Sequence, residues 1–176
     1  GYLGVADPVY NSTDPRRKSD SKWMDWLPRL AVARGENLGQ LNRLVSSARE
    51  VRRSSESWQA ATGLPRPVQI LEGTAAHRDA FLQALSAAPS TIHLATHVLT
   101  SGTRPEQAFL AFSLDASGSP GLLSTSEIGM LHVPGALIVM TGCATGTGDA
   151  RVGAGLLGLT RAWMMAGAKA VVATNW

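Results

Sequence analysis

A single cysteine among 176 residues excludes an internal disulfide, and the chain is read as belonging to a reducing, cytoplasmic setting. No uninterrupted apolar run approaches about 18 residues, so no membrane span is expected although 44% of the residues are apolar. The opening GYLGVADPVY has no basic segment ahead of an apolar core and does not read as a signal peptide. The net charge of +3 is spread over residues 14–22 and 43–53 among acidic neighbours. It is not gathered with aromatics into a stripe, so the excess reads as solvated surface and no nucleic-acid partner is expected. There is no internal repeat. The length bounds the chain to one domain over 1–176 with a sizeable core.

Residues 2–6 form a short apolar run closed by Asp7-Pro8, a turn signal, and read as a first strand. Residues 11–20, rich in Ser, Thr, Asp, Pro and basic side chains, read as an exposed loop. Trp23, Trp26, Leu27 and Leu30 suit the edge of a core, with Pro28 interrupting any helix there. Leu41, Leu44, Val45, Ala48, Val51 and Trp58 then recur at helical spacing, with Arg43, Arg49, Arg52, Arg53 and Glu56 on the other side. Two capping boxes compete for the start of this helix, Asn37 with Gln40 and Ser47 with Glu50. Gly63 is its natural stop.

Residues 68–71 read as a strand ending at Gly73. Thr74 is placed to cap a helix running through Ala84, with Phe81, Leu82 and Leu85 inward. TIHLATH, residues 91–97, is the next strand. Strand–helix–strand alternation at this spacing argues for right-handed crossovers, hence an α/β fold with a mostly parallel sheet and helices on both faces. Residues 99–107 read as a polar loop, and 109–114 with 121–123 as a hairpin excursion. Ser124 with Glu127 forms a capping box for a short helix to about Leu131. A strand over 136–140 follows, then a small-residue loop. A helix over about 154–166, apolar nearly all round, is expected to be buried on more than one side. A last strand covers 169–174. An edge strand at that point calls for further cover, so the sequence reads as a domain lacking its C-terminal portion.

The chemistry concentrates where parallel strands end, because that rim is the crevice in which ligands bind on such sheets. His97 closes one strand and Cys143 follows another. A free thiol has a pKa of about 8.5 and needs a neighbouring base to react at neutral pH. The small-residue loop 142–148 offers backbone N–H groups for an oxyanion and lets a substrate backbone approach closely. On composition alone, a lone cysteine or histidine is more often a buried structural residue than a reactive one. His93 and His97 mimic a metal-ligand spacing, but four residues along a strand span about 13 Å, too far to share an ion. No metal and no cofactor are expected. His77 and His132 read as surface residues. Gly153, Gly155 and Gly158 match GxGxxG, yet a long loop separates them from their strand and no acidic residue follows at about 20 positions, against a dinucleotide fold. Residues 142–146 hold one residue too many for a G-x-C-x-G elbow.

HLATH in a strand, LIVMTGCATGTG, and GAGLLGLTRAWMMAGAKAVVATNW together resemble the bacterial CHAT family. These are caspase-like domains of the caspase and separase peptidase clan, often joined to tetratricopeptide repeats. LGVADPVY, SSAREV and VQILEGTAAHRDAFLQAL resemble the family's earlier strands and helices more faintly, so the likeness spans most of the chain. The resemblance implies a caspase-like three-layer sandwich. It also implies a cysteine endopeptidase with His97 as general base and Cys143 as nucleophile, cleaving a protein or peptide partner through an acyl-enzyme. The oxyanion would be held by the N–H groups of Cys143 and Val98, with Gly142 and Ala144 in the same substrate loop. A tetratricopeptide-repeat region in this or a partner chain is the companion the resemblance implies. Three positions depart from the family pattern: Val98 replaces a glycine, Ala154 a glutamate, and Thr141 the acid found in relatives that cut after Lys or Arg. Val98 favours the alternative, a catalytically inactive interaction or scaffold module.

Overall fold

Five parallel strands make the central sheet in the order β2-β1-β3-β7-β8. They are β1 (Tyr2–Ala6), β2 (Val68–Glu72), β3 (Thr91–Ala95), β7 (Leu137–Met140) and β8 (Ala170–Ala173). The computed structural model describes residues 1–17, 41–63, 65–100, 107–115, 117–119, 121–142 and 152–174. In-register pairing aligns Leu3 with Ile92, Val5 with Leu94, Ile92 with Ile138 and Leu94 with Met140. Because side chains alternate along a strand, these apolar residues share one face. There they meet Phe81 of α2 (Arg78–Ala84) and Leu159 and Trp163 of α4 (Val152–Met165) in the main core. The Phe81 ring stands edge-on to Trp163, centroids 6.5 Å apart.

Tyr2, Ala6 and Ala95 point to the opposite face and pack against Val51 of α1 (Val45–Thr62). The result is the three-layer α/β arrangement expected from the sequence. The layers are unequal, with most of the large buried side chains on the α2/α4 side. Each fully buried Leu, Ile or Phe contributes about 1.5–3 kcal/mol, so that side holds most of the hydrophobic stabilisation.

Several boundaries follow the local signals. Gly63 ends α1 in the left-handed region at φ 65°, which glycine takes without a Cβ penalty. Ser124 accepts from the Glu127 backbone while Glu127 reaches back to the Ser124 N–H, the capping box that opens α3 (Thr125–Gly129). The hairpin excursion is present as β5 (Ala108–Phe112) antiparallel to β6 (Gly121–Ser124).

Other expectations are corrected. α1 starts after Leu44 without a side-chain cap, because the Ser47 hydroxyl is engaged by the Asp7 N–H and the Leu44 carbonyl. The rival box at Asn37 and Gln40, and the tryptophans at 23 and 26, lie outside the described residues. Thr74 does not cap α2: residues Gly73–Ala75 form a 3-10 turn, and His77 is the N-cap, its Nδ1 accepting from Ala80 N at 3.2 Å. His77 also bridges to Ser113, so it is a half-buried structural residue and not a free surface one. The run read as a loop from residue 99 begins as a strand, β4 (Val98–Thr100), which joins β5 and β6 in a second, three-stranded sheet. The 11–20 segment is not wholly exposed, since Arg16 folds inward onto Asp7. Helix α4 is buried on one side only, leaving Leu157, Met164 and Met165 open. Its apolar composition therefore overstates its burial. No helix among the described residues is long and apolar enough to cross a membrane.

Candidate functional site

Because β1, β3 and β7 run parallel and in register, their C-terminal ends form one rim. That rim gathers Asp7, the Thr96–His97 peptide, and Thr141 with Gly142. The Thr141 N–H donates to the Leu94 carbonyl at 3.0 Å, so sheet pairing carries β7 up to the turn after β3. At Gly142 the chain then presses against that turn. A Cβ on Gly142 would lie 1.8 Å from the Thr96 carbonyl oxygen and 3.8 Å from the His97 nitrogen. Only a residue without a side chain fits there.

His97 is 2% exposed, and its ring lies 4.9 Å from that of Tyr10. Nε2 lies 2.7 Å from the main-chain oxygen of Asn42, just ahead of α1. A carbonyl can only accept, so His97 carries a proton on Nε2 and, in the neutral ring, the lone pair resides on Nδ1. Burial pushes the His97 pKa down and the Asn42 hydrogen bond opposes it only in part, so the ring is a neutral base at pH 7.

A closed set of hydrogen bonds holds the His97 backbone. Its N–H donates to Tyr10 Oη at 3.4 Å. Thr96 Oγ1 donates its one proton to the Ala111 carbonyl, so the 2.8 Å contact between Tyr10 and Thr96 must run from the tyrosine. The Ala111 N–H returns to the His97 carbonyl at 3.0 Å. Burial raises the Tyr10 pKa above its ordinary value, which keeps the phenol neutral and able to donate. Val98, the next residue, begins β4 with its side chain in the core. The non-glycine residues with positive φ among those described are Asp7 and Ala88, so Val98 has ordinary extended backbone and is under no β-branched strain.

His93, the first histidine of the HLATH block, has a separate environment. Tyr2 Oη lies 2.8 Å from Nδ1, while Thr141 Oγ1 and Glu50 Oε1 lie 3.1 and 3.3 Å from Nε2. A carboxylate only accepts, so Nε2 carries the proton and the tyrosine donates to Nδ1. Burial lowers the pKa of His93, partly offset by the Glu50 charge. It is a satisfied core histidine that ties β1, β3, β7 and α1 together.

Of the residues singled out from the sequence, His97, Val98 and Gly142 meet at this rim, whereas Cys143 and Ala144 fall outside the described residues. Sequence reasoning missed Tyr10, the Asn42 carbonyl and the Asp7 cluster. The DP turn was a visible signal for Asp7; a main-chain oxygen at Asn42 left none.

The two buried histidines set an acid limit on stability. Their folded pKa values lie below the ordinary value of about 6.5, so the unfolded chain binds more protons as pH falls through that region. Their contribution is complete above about pH 6.5 and is lost on going down towards the folded values. Asp14 acts lower: hydrogen bonds from Arg16 hold it at about 2, so its contribution is lost only below the ordinary carboxylate range. The urea midpoint is therefore expected to be flat from pH 8 to 7 and to fall between pH 6.5 and 5. A midpoint constant to pH 5 would contradict the burial of both rings.

A search of curated proteins found no match. The family model described as the CHAT domain matches residues 3–176, from the second residue of β1 through the whole sheet, and the chain therefore belongs to this caspase-like, peptidase-related family.

Proposed function

We propose that the protein is a cysteine endopeptidase in which Cys143 and His97 act as a dyad on a peptide bond of a protein partner. The observation that carries this reading is the hydrogen bond from His97 Nε2 to the Asn42 carbonyl. It makes Nδ1 the basic nitrogen of a neutral ring, on the residue whose main-chain nitrogen lies 3.8 Å from where a Cβ of Gly142 would sit. Cys143 is the next residue, one peptide bond further on.

In the proposed reaction the Cys143 thiol gives its proton to His97 Nδ1 and the thiolate attacks the scissile carbonyl carbon. The tetrahedral oxyanion accepts hydrogen bonds from the N–H groups of Cys143 and Val98, with Gly142 and Ala144 flanking the substrate backbone. The C–N bond breaks as the imidazolium protonates the leaving amine. Water then hydrolyses the acyl-enzyme, giving its proton to His97, and the thiol is restored. A tetratricopeptide-repeat region in the same or a partner chain is the companion proposed to present or restrain the substrate.

Cys143 is the chain's only cysteine, so alkylation reports on one site. The test is incubation with peptide libraries and identification of the cut bonds by mass spectrometry, before and after iodoacetamide. Sequence-restricted cleavage abolished by one equivalent of label is the expected result. A protein that cuts nothing, and whose Cys143 reacts no faster at pH 7 than a free thiol, would overturn the reading in favour of a scaffold module.

A further inference from the structure

Asp7 follows β1 in the left-handed region at φ 46°, a conformation that a non-glycine residue adopts at a cost and keeps only when its surroundings impose it. Its carboxylate is 2% exposed and is met by two guanidinium groups. Arg43 approaches as a fork, Nε at 3.0 and 3.1 Å from the two oxygens and Nη2 at 2.6 Å from Oδ2. Arg16 Nη1 lies 2.8 Å from Oδ2 and 2.9 Å from the Asp7 main-chain oxygen, while its Nε and Nη2 engage Asp14. The Asp7 N–H donates to Ser47 Oγ at 2.8 Å, and that hydroxyl donates to the Leu44 carbonyl at 2.7 Å.

Every one of these bonds to the 43–47 segment holds the short run of chain that enters α1. Asn42, whose carbonyl receives the His97 Nε2 proton, is joined to Arg43 by one peptide bond. That run has no cap of its own: Leu44 offers no side-chain hydrogen bond to the helix start. A charge-assisted, two-pronged bond is both stronger and more directional than a neutral one. The strain at Asp7 and the burial of its charge are thus tied to the segment that carries the Asn42 oxygen.

We propose that Asp7 is a positioning residue for the His97 base: through Arg43 it sets the Asn42 carbonyl that holds the imidazole in the Nε2–H form facing the reaction. Asp7 touches neither His97 nor the substrate. The consequence for catalysis rests on the peptidase reading, but the effect on the ring does not.

The test uses the whole chain labelled with 15N-histidine and follows the exchange of the His97 Nε2 proton by NMR, with the Nε2 proton of His93 as an internal control for folding. Arg43 is half exposed, and Arg43→Gln leaves Asp7 still paired with Arg16, so this variant keeps the core intact. The expected result is a protected His97 Nε2 proton in the wild type that exchanges at least tenfold faster in Arg43→Gln and in Asp7→Asn, with His93 unchanged. Arg43→Lys, which keeps the charge without the fork, is expected to fall between. In a cleavage assay the same variants are expected to lose on the order of 10-fold to 100-fold in kcat with KM unchanged, the scale of a misplaced catalytic group. Equal protection of His97 in the wild type, Arg43→Gln and Asp7→Asn would overturn the proposal. Faster exchange in a protein that cleaves nothing and whose Cys143 labels no faster at pH 7 than a free thiol would leave the positioning role standing and remove the peptidase reading alone.

Discussion

His97→Ala is expected to lower peptide cleavage by about a hundredfold to ten-thousandfold, the range that a positioned general base contributes. The same change is expected to slow iodoacetamide labelling of Cys143 at pH 7 and to move the midpoint of its pH profile up towards the value of a free thiol, about 8.5. The reason is specific to this ring. With its proton on Nε2 donated to Asn42 and its pKa held down by burial, His97 is neutral at pH 7 and can accept a proton at Nδ1. Alanine removes that acceptor and also the hydrogen bond to the carbonyl of the exposed Asn42, at a stability cost of about 0.5–1.5 kcal/mol. The stability loss alone would reduce the amount of folded protein without moving the pH profile. Initial rates with a cleaved peptide, paired with labelling rates from pH 6 to 10, separate the two effects. An unchanged labelling profile would remove His97 from the chemistry.

Gly142→Ala is expected to be nearly as damaging, without removing any reactive group. The added Cβ would sit 1.8 Å from the Thr96 oxygen and 3.0 Å from its carbonyl carbon, both main-chain atoms. Neither can rotate away. Thr96 is itself held by Tyr10 and Ala111, so the end of β7 must move instead. Forced overpacking costs about 1–3 kcal/mol where side chains can yield, and here they cannot, so a loss at or above the top of that range is expected. A shift of about 1 Å at residue 142 is passed directly to Cys143 and is expected to reduce cleavage about a hundredfold. Gly129→Ala is the control, because its nearest neighbour would be the end of the Met165 side chain at 3.8 Å, an ordinary contact. Thermal denaturation and cleavage rates of the two variants check the contrast. Equal behaviour would mean that Gly142 does not set the approach of the nucleophile loop.

Much of the scaffold was legible in the residues because its signals are local. The runs TIHLATH at 91–97 and 136–140 read as strands, and their residues do pair in the sheet over 91–94 and 137–140. Gly63 stops a helix, and Ser124 with Glu127 starts one, through atoms within three or four residues of each other. The errors came where a distant partner outbid a local preference. Ser47 has capping-box spacing, but its hydroxyl serves Asp7, 40 residues away. Thr74 has the right chemistry for a cap, but the turn at Gly73–Ala75 and the bridge from His77 to Ser113 move the helix start. Leu99 and Thr100 read as the start of a loop, but their pairing with Phe109 and Ala108 makes them part of a strand.

The same division runs through the rim of the sheet. The α/β alternation, the family, and the two strand ends that bear His97 and the chain leading to Cys143 are legible in the residues alone, because periodicity and motif are properties of neighbouring residues. Which nitrogen of His97 carries the proton, why residue 142 must be glycine, and what the buried Asp7 carboxylate holds emerge only in the folded chain. Each of those depends on main-chain atoms meeting across long loops, as His97 does with Asn42 over 55 residues. A carbonyl oxygen is common to every residue type, so its role emerges only when the chain has folded around it.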